Sequence, residues 1–318
     1  MRMLMAALAL IAGAGGAGAA DYTCSQLRLV VPYPAGGATD VATRVVAERL
    51  DAALKRPVVV ENRGGATGNI GTAVVIASPP DGCTLLINAT VIATFPHSFA
   101  KLNYDPIKDL APVGGLGITP TLIVAAPSIP ANDIKSLVAW SKTKSDGLNF
   151  STAGYGLQQH LAVEELAKRT GAKFTHVAYK GGGTAMTDLM TARLDFGGFL
   201  GGTTKPLIRD CQLKALAIVQ DKRSDLVPDV PTTAEQGFAG INAGVHFMFF
   251  APAGTPKDTI AMLSAEIRKV IDDATVKERF ANIGFDPTAL GPGDVAALMK
   301  KAGEDWAPVI KRLNIKLD

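Results

Sequence analysis

The chain has 318 residues, with 32 Lys or Arg, 29 Asp or Glu and a formal net charge of only +3. A charge this balanced, without a basic stripe, argues against a nucleic-acid partner. Its 3 cysteines show no C-x-x-C spacing, which argues against a metal or redox centre. The length is sufficient for two domains.

The first twenty or so residues have the pattern of a secretory signal peptide. Arg2 forms a short basic segment, residues 3–12 are apolar, and residues 13–20 are small. Both Ala17-Gly18-Ala19 and Gly18-Ala19-Ala20 fit the cleavage pattern, so cleavage after Ala19 and after Ala20 remain alternatives. The apolar segment is about half the length of a membrane span, which favours a cleaved leader over an anchor. We expect a protein that works outside the cytoplasm.

Short apolar segments alternate with helical patterns along the rest of the chain. Amphipathic helices are expected over Asp40–Leu54, with Thr39 as N-cap, from Pro256 onwards, and over Pro292–Leu313, while Thr232 and Glu235 have capping-box spacing. Alternation of this kind predicts an α/β fold with parallel sheets. The expected strands are mostly continuous apolar runs, as in strands buried on both faces: Leu27–Tyr33, Pro57–Glu61, Thr84–Asn88, Leu122–Ala126, Leu148–Ser151, Phe174–Tyr179, Leu194–Phe199, Leu213–Val219 and Phe247–Ala251.

No Gly/Ser-rich linker divides the chain, so two domains would require it to cross between lobes more than once. The strands Leu122–Ala126 and Phe247–Ala251, each followed by a proline, are the expected crossings. We therefore expect residues 21–122 plus 250–318 in lobe 1 and residues 123–249 in lobe 2.

Four glycine-rich segments each lead from an expected strand into an expected helix start: Pro34–Asp40, Gly154–Gln158, Lys180–Thr184 and Gly197–Gly202. Such loops lie at the carboxyl ends of parallel strands, where ligands bind. Unpaired N–H groups and the dipole at a helix start favour an anion. One such loop is more often a tight structural turn, but four around a cleft predict a clamp for a small carboxylate, held by backbone N–H groups and hydroxyls.

No catalytic constellation accompanies these loops. The sequence has no G-x-S-x-G or Walker A pattern, and its four histidines lack metal-ligand spacing. His160 either lines the cleft or is a structural residue. Asp40 and Asp195 are expected near the anion site, where they would orient loop N–H groups or water, or cap helices. We expect a binding protein without metal or cofactor rather than an enzyme.

Six segments, in this order, resemble the Bug or TctC-like solute-binding receptors of tripartite tricarboxylate transporters over nearly the whole mature chain: Val30–Arg44 (VVPYPAGGATDVATR), Val60–Gly71 (VENRGGATGNIG), Asp81–Leu86 (DGCTLL), Tyr179–Leu189 (YKGGGTAMTDL), Pro228–Gly237 (PDVPTTAEQG) and Ala251–Pro256 (APAGTP). The resemblance implies a two-lobed, type II-like periplasmic binding protein, with parallel-rich α/β sheets flanked by helices and joined by two crossover strands. It implies a monomer that closes on a small mono- or dicarboxylate and delivers it to a two-component membrane permease.

The resemblance also implies which residues hold the ligand, through main-chain amides and hydroxyls of the first loop and of the loop before His160. Gln158 and Gln159 depart from the small hydroxyl residue common there, and either bond a distal ligand group or fill space. His246, Met248 and Cys83 also depart from the usual residues, so the identity of the acid stays open. The implied positions are Tyr33, Pro34, Ala35, Gly36, Gly37, Thr39, Asp40, Asn88, Thr90, Gly154, Gly156, Gln158, Gln159, His160, Asp195 and Phe199.

Cys24 precedes the first strand and Cys83 begins the third. If the strands have a 2-1-3 order, the two thiols lie close together, and an oxidising compartment allows them to pair. We expect a Cys24–Cys83 disulfide with Cys211 free, although the sequence leaves other pairings open.

Two alternatives remain at this point. A secreted α/β enzyme acting on small organic acids would require a nucleophile–base pair. A ligand-sensing receptor for a membrane kinase would share the fold and would be distinguished by a neighbouring kinase gene.

Overall fold

The computed structural model describes residues 22–179 and 182–317, so the expected leader lies outside the described residues. None of the helices in these ranges combines the length and hydropathy that a bilayer span needs. The strands are β1 (Leu27–Val31), β2 (Val58–Asn62), β3 (Thr84–Ala89), β4 (Leu110–Thr119), β5 (Thr121–Ala125), β6 (Leu148–Thr152), β7 (Phe174–His176), β8 (Phe196–Leu200), β9 (Lys214–Ile218), β10 (Val245–Pro252) and β11 (Asp286–Pro287). The helices are α1 (Ala38–Leu54), α2 (Asn69–Ile76), α3 (Phe95–Ser98), α4 (Ile134–Lys142), α5 (Gln158–Thr170), α6 (Gly182–Met190), α7 (Gly201–Arg209), α8 (Lys257–Asp272), α9 (Ala274–Asn282) and α10 (Pro292–Arg312).

The strands form two sheets, ordered β11-β4-β10-β3-β1-β2 and β7-β6-β8-β5-β9. β1 is parallel to β2 and β3, and β6 is parallel to β7 and β8. β10 and β5, the strands by which the chain enters each sheet from the other, are antiparallel to both neighbours. The expected two-lobed α/β fold is confirmed, but the sheets are mixed rather than parallel-rich, because β5, β10 and the short β11 run antiparallel to their neighbours.

The chain passes between the sheets at two places. It leaves the first sheet at Pro120, between β4 and β5, and returns between β9 and β10. The passages are tied together, since the Thr121 hydroxyl donates to the Ala243 carbonyl at 2.6 Å. β5 and β10, the strands expected to cross between the lobes, each lie within a single sheet, β5 in the second and β10 in the first. The chain crosses between the sheets just before each of these strands. Residues 245–249, expected in lobe 2, pair within the first sheet, so the exact lobe division stays a prediction.

β4 is the one long strand that the sequence analysis did not predict. Its glycines at positions 114, 115 and 117 break the apolar pattern. A Cβ at Gly117 would lie 3.0 Å from the carbonyl oxygen of Asp286, and one at Gly115 would collide with the carbonyl oxygen of Thr288. The glycines are therefore needed where the β11 segment approaches the β4 backbone closely.

Helix starts differ slightly from the expected ones. α1 begins at Ala38 with Gly37 as N-cap, instead of Thr39. Pro256 is the N-cap of α8 rather than its first residue. The reciprocal bonds of Thr232 and Glu235 are present at 2.7 and 3.0 Å, but they close a turn and do not open a helix.

Cys24 and Cys83 form a disulfide with a Cα–Cα distance of 5.4 Å. The β2-β1-β3 arrangement explains it, because it places the start of β3 beside the start of β1. Cys211 is exposed and free.

Candidate functional site

A cavity of about 350 Å³ lies where strand ends of the first sheet face helix starts of the second. Its size is at the lower end of small-molecule sites. None of the described residues that line it is Asp, Glu, Lys, Arg or His. The lining residues are Tyr33, Pro34, Gly37, Ala38, Thr39, Ala89, Val91, Thr119, Leu157, Gln158, Gln159, Leu200, Gly202, Thr203, Val245, Phe247, Ile283 and Phe285.

The first loop brings the start of α1 to the cavity. Gly36 has a φ of +79°, a value that glycine adopts without strain. Its N–H donates to Asp40 Oδ2 at 2.9 Å, and Asn62 Nδ2 donates to Asp40 Oδ1 at 2.9 Å. Arg44 Nη2 lies 3.0 Å from Asp40 Oδ1. Asp40, the third residue of α1, therefore folds the loop back on the helix, while Thr39 lines the cavity.

Asp40 keeps its charge inside this network. Burial raises the pKa of its carboxyl group. Hydrogen bonds from Arg44, the Gly36 N–H and Asn62 together lower the pKa by more than burial raises it, so the net pKa lies below the usual value. The carboxylate is balanced by Arg44 and does not line the cavity. Asp40 thus orients the loop, one of the two roles expected for it.

The second loop repeats this geometry with an imidazole ring in place of the carboxylate. Gly156 has a φ of +76°, and its N–H donates to His160 Nδ1 at 3.1 Å. His160 is the third residue of α5, is 2% exposed, and stacks against Tyr155 and His176 with ring centroids 4.9 and 4.1 Å away. His160 is not among the residues that line this cavity, and it holds the loop that precedes α5.

The start of α7 is the third helix start at the cavity. The first residue of α7 is fixed because Gly201 N–H donates to the Pro120 carbonyl at 2.7 Å. Its next two residues, Gly202 and Thr203, line the cavity. Gly202 also packs closely on Ile283 of the first lobe, since an added Cβ would lie 2.8 Å from that residue's carbonyl oxygen.

The cavity is thus surrounded by the N-termini of α1, α5 and α7. The first N–H groups of a helix have no partner within the helix, and the dipole adds positive potential there. An uncharged cavity with these three helix starts around it suits an anion bound mainly by backbone donors.

Asn88 and Thr90 do not line the cavity, but each is hydrogen-bonded to a residue that does. The Tyr33 hydroxyl donates to Asn88 Oδ1 at 2.7 Å, and Asn88 Nδ2 donates to Thr72 Oγ1 at 2.9 Å. Burial raises the pKa of Tyr33, so its phenol stays neutral. Thr90 Oγ1 donates to Gln158 Oε1 at 3.0 Å, which links the lobes beside the cavity.

Four expected residues are not brought to the cavity by the structure. The Asp195 carboxylate accepts the Asn149 N–H at 2.7 Å, before β8, whereas Leu200 at the other end of β8 lines the cavity. Phe199 is 2% exposed in the second core cluster, because side chains alternate along the strand. The Gly154 carbonyl accepts the Thr152 hydroxyl, and Ala35 lies on the exposed side of its loop. Residues 197 and 198 of the fourth glycine segment are strand, and residues 180 and 181 of the third lie outside the described residues.

The sequence did not predict the cavity wall formed by β4, β10 and the turn before β11. These side chains are mainly apolar and sit in strands, so their pattern indicated core. The one available signal was the glycine content of β4, which marks close packing. The missed residues of this wall are Thr119, Val245, Phe247, Ile283 and Phe285, and Val91 after β3 was missed as well.

Comparisons with known proteins agree with this architecture. The family described as tripartite tricarboxylate transporter family receptor (TctC) matches residues 42–315. Protein BugT of Bordetella pertussis is 33% identical, with 100% of this chain and 99% of that protein covered. The structure of the periplasmic binding protein BugD has a TM-score of 0.76 at 32% identity, covering 92% of this chain and 98% of that one. Rpa4515 of R. palustris, solved with adipate, has a TM-score of 0.80 at 28% identity, covering 92% and 98%.

The family match spans most of the chain, and BugT is related over its full length. The solved relatives share the two-lobed fold. The chain therefore belongs to the solute-binding receptor family of the tripartite tricarboxylate transporters.

Proposed function

We propose that this chain captures a small organic carboxylate between its two lobes in the periplasm and delivers it to a two-component membrane permease. The observation that carries the proposal is the meeting of three helix N-termini at one uncharged cavity. A carboxylate there receives charge-assisted hydrogen bonds, which are about twice as strong as neutral ones. The adipate bound to Rpa4515 supports a carboxylate ligand.

In this proposal the direct contacts come mainly from the first turns of α1 and α5. Thr39 and Gln159 supply backbone N–H groups and side chains to the cavity. Asp40 and His160 act through the loops that they hold. The described lining residues include no Asp, Glu, His, Lys or Cys, and the Tyr33 hydroxyl is engaged with Asn88, which favours binding over catalysis.

Lobe closure completes the proposed cycle. In this proposal residues 21–122 plus 250–318 form lobe 1 and residues 123–249 form lobe 2, and the passages between the sheets act as the hinge. A ligand that binds the closed form better shifts the population towards it, and the permease recognises that form. The receptor acts as a monomer after its leader is removed behind Ala19 or Ala20.

A ligand screen tests the proposal. Melting temperatures are measured with mono-, di- and tricarboxylates, aromatic acids, sugars and organic cations, and the hits are followed by calorimetry. A ligand present at 100 times its Kd adds about 2.7 kcal/mol to the unfolding free energy. We expect carboxylates alone to stabilise the protein. Stabilisation by a sugar or a cation, with no carboxylate active, would contradict the proposal.

A further inference from the structure

The turn between α9 and β11, in the first lobe, touches the second lobe through two glycines. Ile283 and Phe285 of this turn line the cavity. Gly284, between them, lies against Gly202 at the start of α7, since a Cβ added at Gly284 would lie 2.1 Å from the Gly202 Cα. The backbones of the two lobes are therefore in direct contact here, with no side chain between them.

The other lobe, and not α7 itself, requires glycine at position 202. Gly202 is the second residue of α7, where alanine would favour the helix more than glycine does. The three atoms nearest to an added Cβ all belong to Ile283 and Gly284, at 2.8 to 3.6 Å. Gly284 differs, because its φ of +76° favours glycine in any case. A side chain at position 202 would therefore press on the other lobe without straining its own helix.

Both partners of this contact are fixed within their own lobes. Phe285 is 1% exposed and packs on Phe247 and Phe280, with ring centroids 5.1 and 5.9 Å away, and β11 pairs with β4. On the other side, the Gly201 N–H donates to the Pro120 carbonyl at 2.7 Å. Because closely packed elements yield little, an added atom between them is accommodated by a rotation of the lobes.

A hydrogen bond joins the lobes beside the glycine contact. The Ser224 hydroxyl, which follows β9 of the second sheet, donates to Asp286 Oδ2 of β11 at 2.5 Å. Ser224 is 3% exposed. Neither residue lines the cavity, so this bond contributes to the joining of the lobes without contacting a ligand there.

We infer that these four residues form a closure clasp, in which Gly202 and Gly284 set the closing angle and the Ser224–Asp286 bond stabilises the closed form. The clasp acts before any ligand arrives, so the ligand-free protein is mainly closed. It also raises ligand affinity, because the apparent Kd rises as the binding-competent fraction falls. The inference rests on the proposed function only for the closing of the lobes, and not for the nature of the ligand.

Small-angle X-ray scattering of the mature protein, refolded from denaturant to remove any ligand, tests the clasp. Gly202→Ala is compared with Gly293→Ala, which also changes the second residue of a helix, α10, but places its Cβ in open space. We expect the parent and Gly293→Ala to match the scattering calculated from the structure, and Gly202→Ala to have a larger radius of gyration. A parent protein with the larger radius, or equal radii in all three proteins, would overturn the inference.

Ser224→Ala tests the clasp without adding an atom between the lobes. It removes the hydrogen bond to Asp286 and keeps the glycine contact, so we expect an increase in radius smaller than that of Gly202→Ala. Should Gly202→Ala not fold, an unchanged radius in Ser224→Ala would by itself overturn the inference.

The scattering experiment and the ligand screen give separate answers. Unchanged radii together with stabilisation by a carboxylate overturn the clasp and leave the carboxylate receptor standing. A larger radius in Gly202→Ala, with stabilisation only by a sugar or a cation, supports the clasp and contradicts the proposed ligand class.

Discussion

The first and second glycine loops have the same geometry but are held by different side chains. In each, a glycine with a φ near +80° donates its N–H to the third residue of the following helix, over 2.9 Å to Asp40 and 3.1 Å to His160. Asp40 is an ionised carboxylate paired with Arg44, whereas His160 is an imidazole within an aromatic stack.

The difference shows that the loop geometry, and not the charge of the supporting residue, is the common requirement. In both loops the supporting side chain takes the glycine N–H and leaves the first-turn N–H groups of the helix for a ligand. The first loop depends on a polar network and the second on ring packing. Substitutions should therefore affect the two loops by different amounts and at different pH.

Removing the carboxylate of the first loop should have the largest effect. Asp40→Ala deletes the acceptor for Gly36, Asn62 and Arg44 together. Since hydrogen bonds to charged groups contribute about 1.5–3 kcal/mol, we expect carboxylate affinity to fall about thirtyfold. Calorimetry measures the loss, and Asp40→Asn, which keeps one oxygen for Gly36, should lose less. Equal affinities for both variants and the parent would show that the loop does not need this support.

Removal of one backbone N–H donor from the cavity should have the second-largest effect on ligand affinity. Ala38→Pro places proline at the first position of α1, after a Gly37 whose ψ of 160° accepts it. It removes one N–H from the cavity, and we expect about a tenfold loss of affinity, by the strength of a charge-assisted hydrogen bond. Lys257→Pro, at the first position of α8, is the matched control and should bind normally. Equal affinity in both variants would remove this N–H from the site.

The second loop should respond more weakly. His160→Phe keeps the ring stack but removes the acceptor for the Gly156 N–H. A neutral hydrogen bond contributes about 1 kcal/mol, so we expect about a fivefold loss of affinity in calorimetry. His160→Asn keeps an acceptor and loses the stack. A larger loss of affinity in His160→Asn than in His160→Phe would show that packing, rather than the bond, holds this loop.

The smallest effect should be a pH dependence of the unfolding free energy to which His176, stacked on His160 behind the second loop, contributes. Burial, and then the neighbouring His160, lower the pKa of His176 to about 4 from 6.5. As pH falls from 6.5 to 4, the unfolded chain binds the proton first, so the unfolding free energy falls, by on the order of 1 kcal/mol after solvent screening. The pKa of Asp40 is shifted below 3.8, so its contribution is lost only at lower pH.

Urea unfolding at pH 7.5 and pH 5 measures this difference. We expect His176→Gln to show a smaller fall in unfolding free energy than the parent protein. Burial also lowers the pKa of His246 to about 4. Because His246 is present in both proteins, it contributes the same part of the fall in unfolding free energy to each. An identical fall in both would assign the pH dependence to other groups.

The sequence predicted the strands and loops whose signals are local. Continuous apolar runs located β1, β3 and β6, and the glycines at positions 36 and 156 located both loops. β10 and β5 were predicted as strands, but their antiparallel direction was not, because direction depends on where the chain changes sheets. Asp195 was misplaced because it precedes β8, whereas the cavity lies at the carboxyl end of that strand, at Leu200.

The apolar wall of the cavity could not be distinguished from core by pattern. Phe247 and Phe285 belong to strands or turns with ordinary apolar spacing, and only the packing of the two lobes leaves space beside them. Thr119 ends a glycine-rich strand that was not predicted, so its place in the cavity wall was not predicted either.

The central claim is that backbone N–H groups at the starts of α1 and α5 hold the ligand carboxylate. A crystal structure with a carboxylate identified in the ligand screen tests it most directly. The account predicts carboxylate oxygens within about 3 Å of backbone nitrogens in both first turns, or one ordered water away. A carboxylate bound by Lys or Arg side chains outside the cavity, with both helix starts unoccupied, would contradict it.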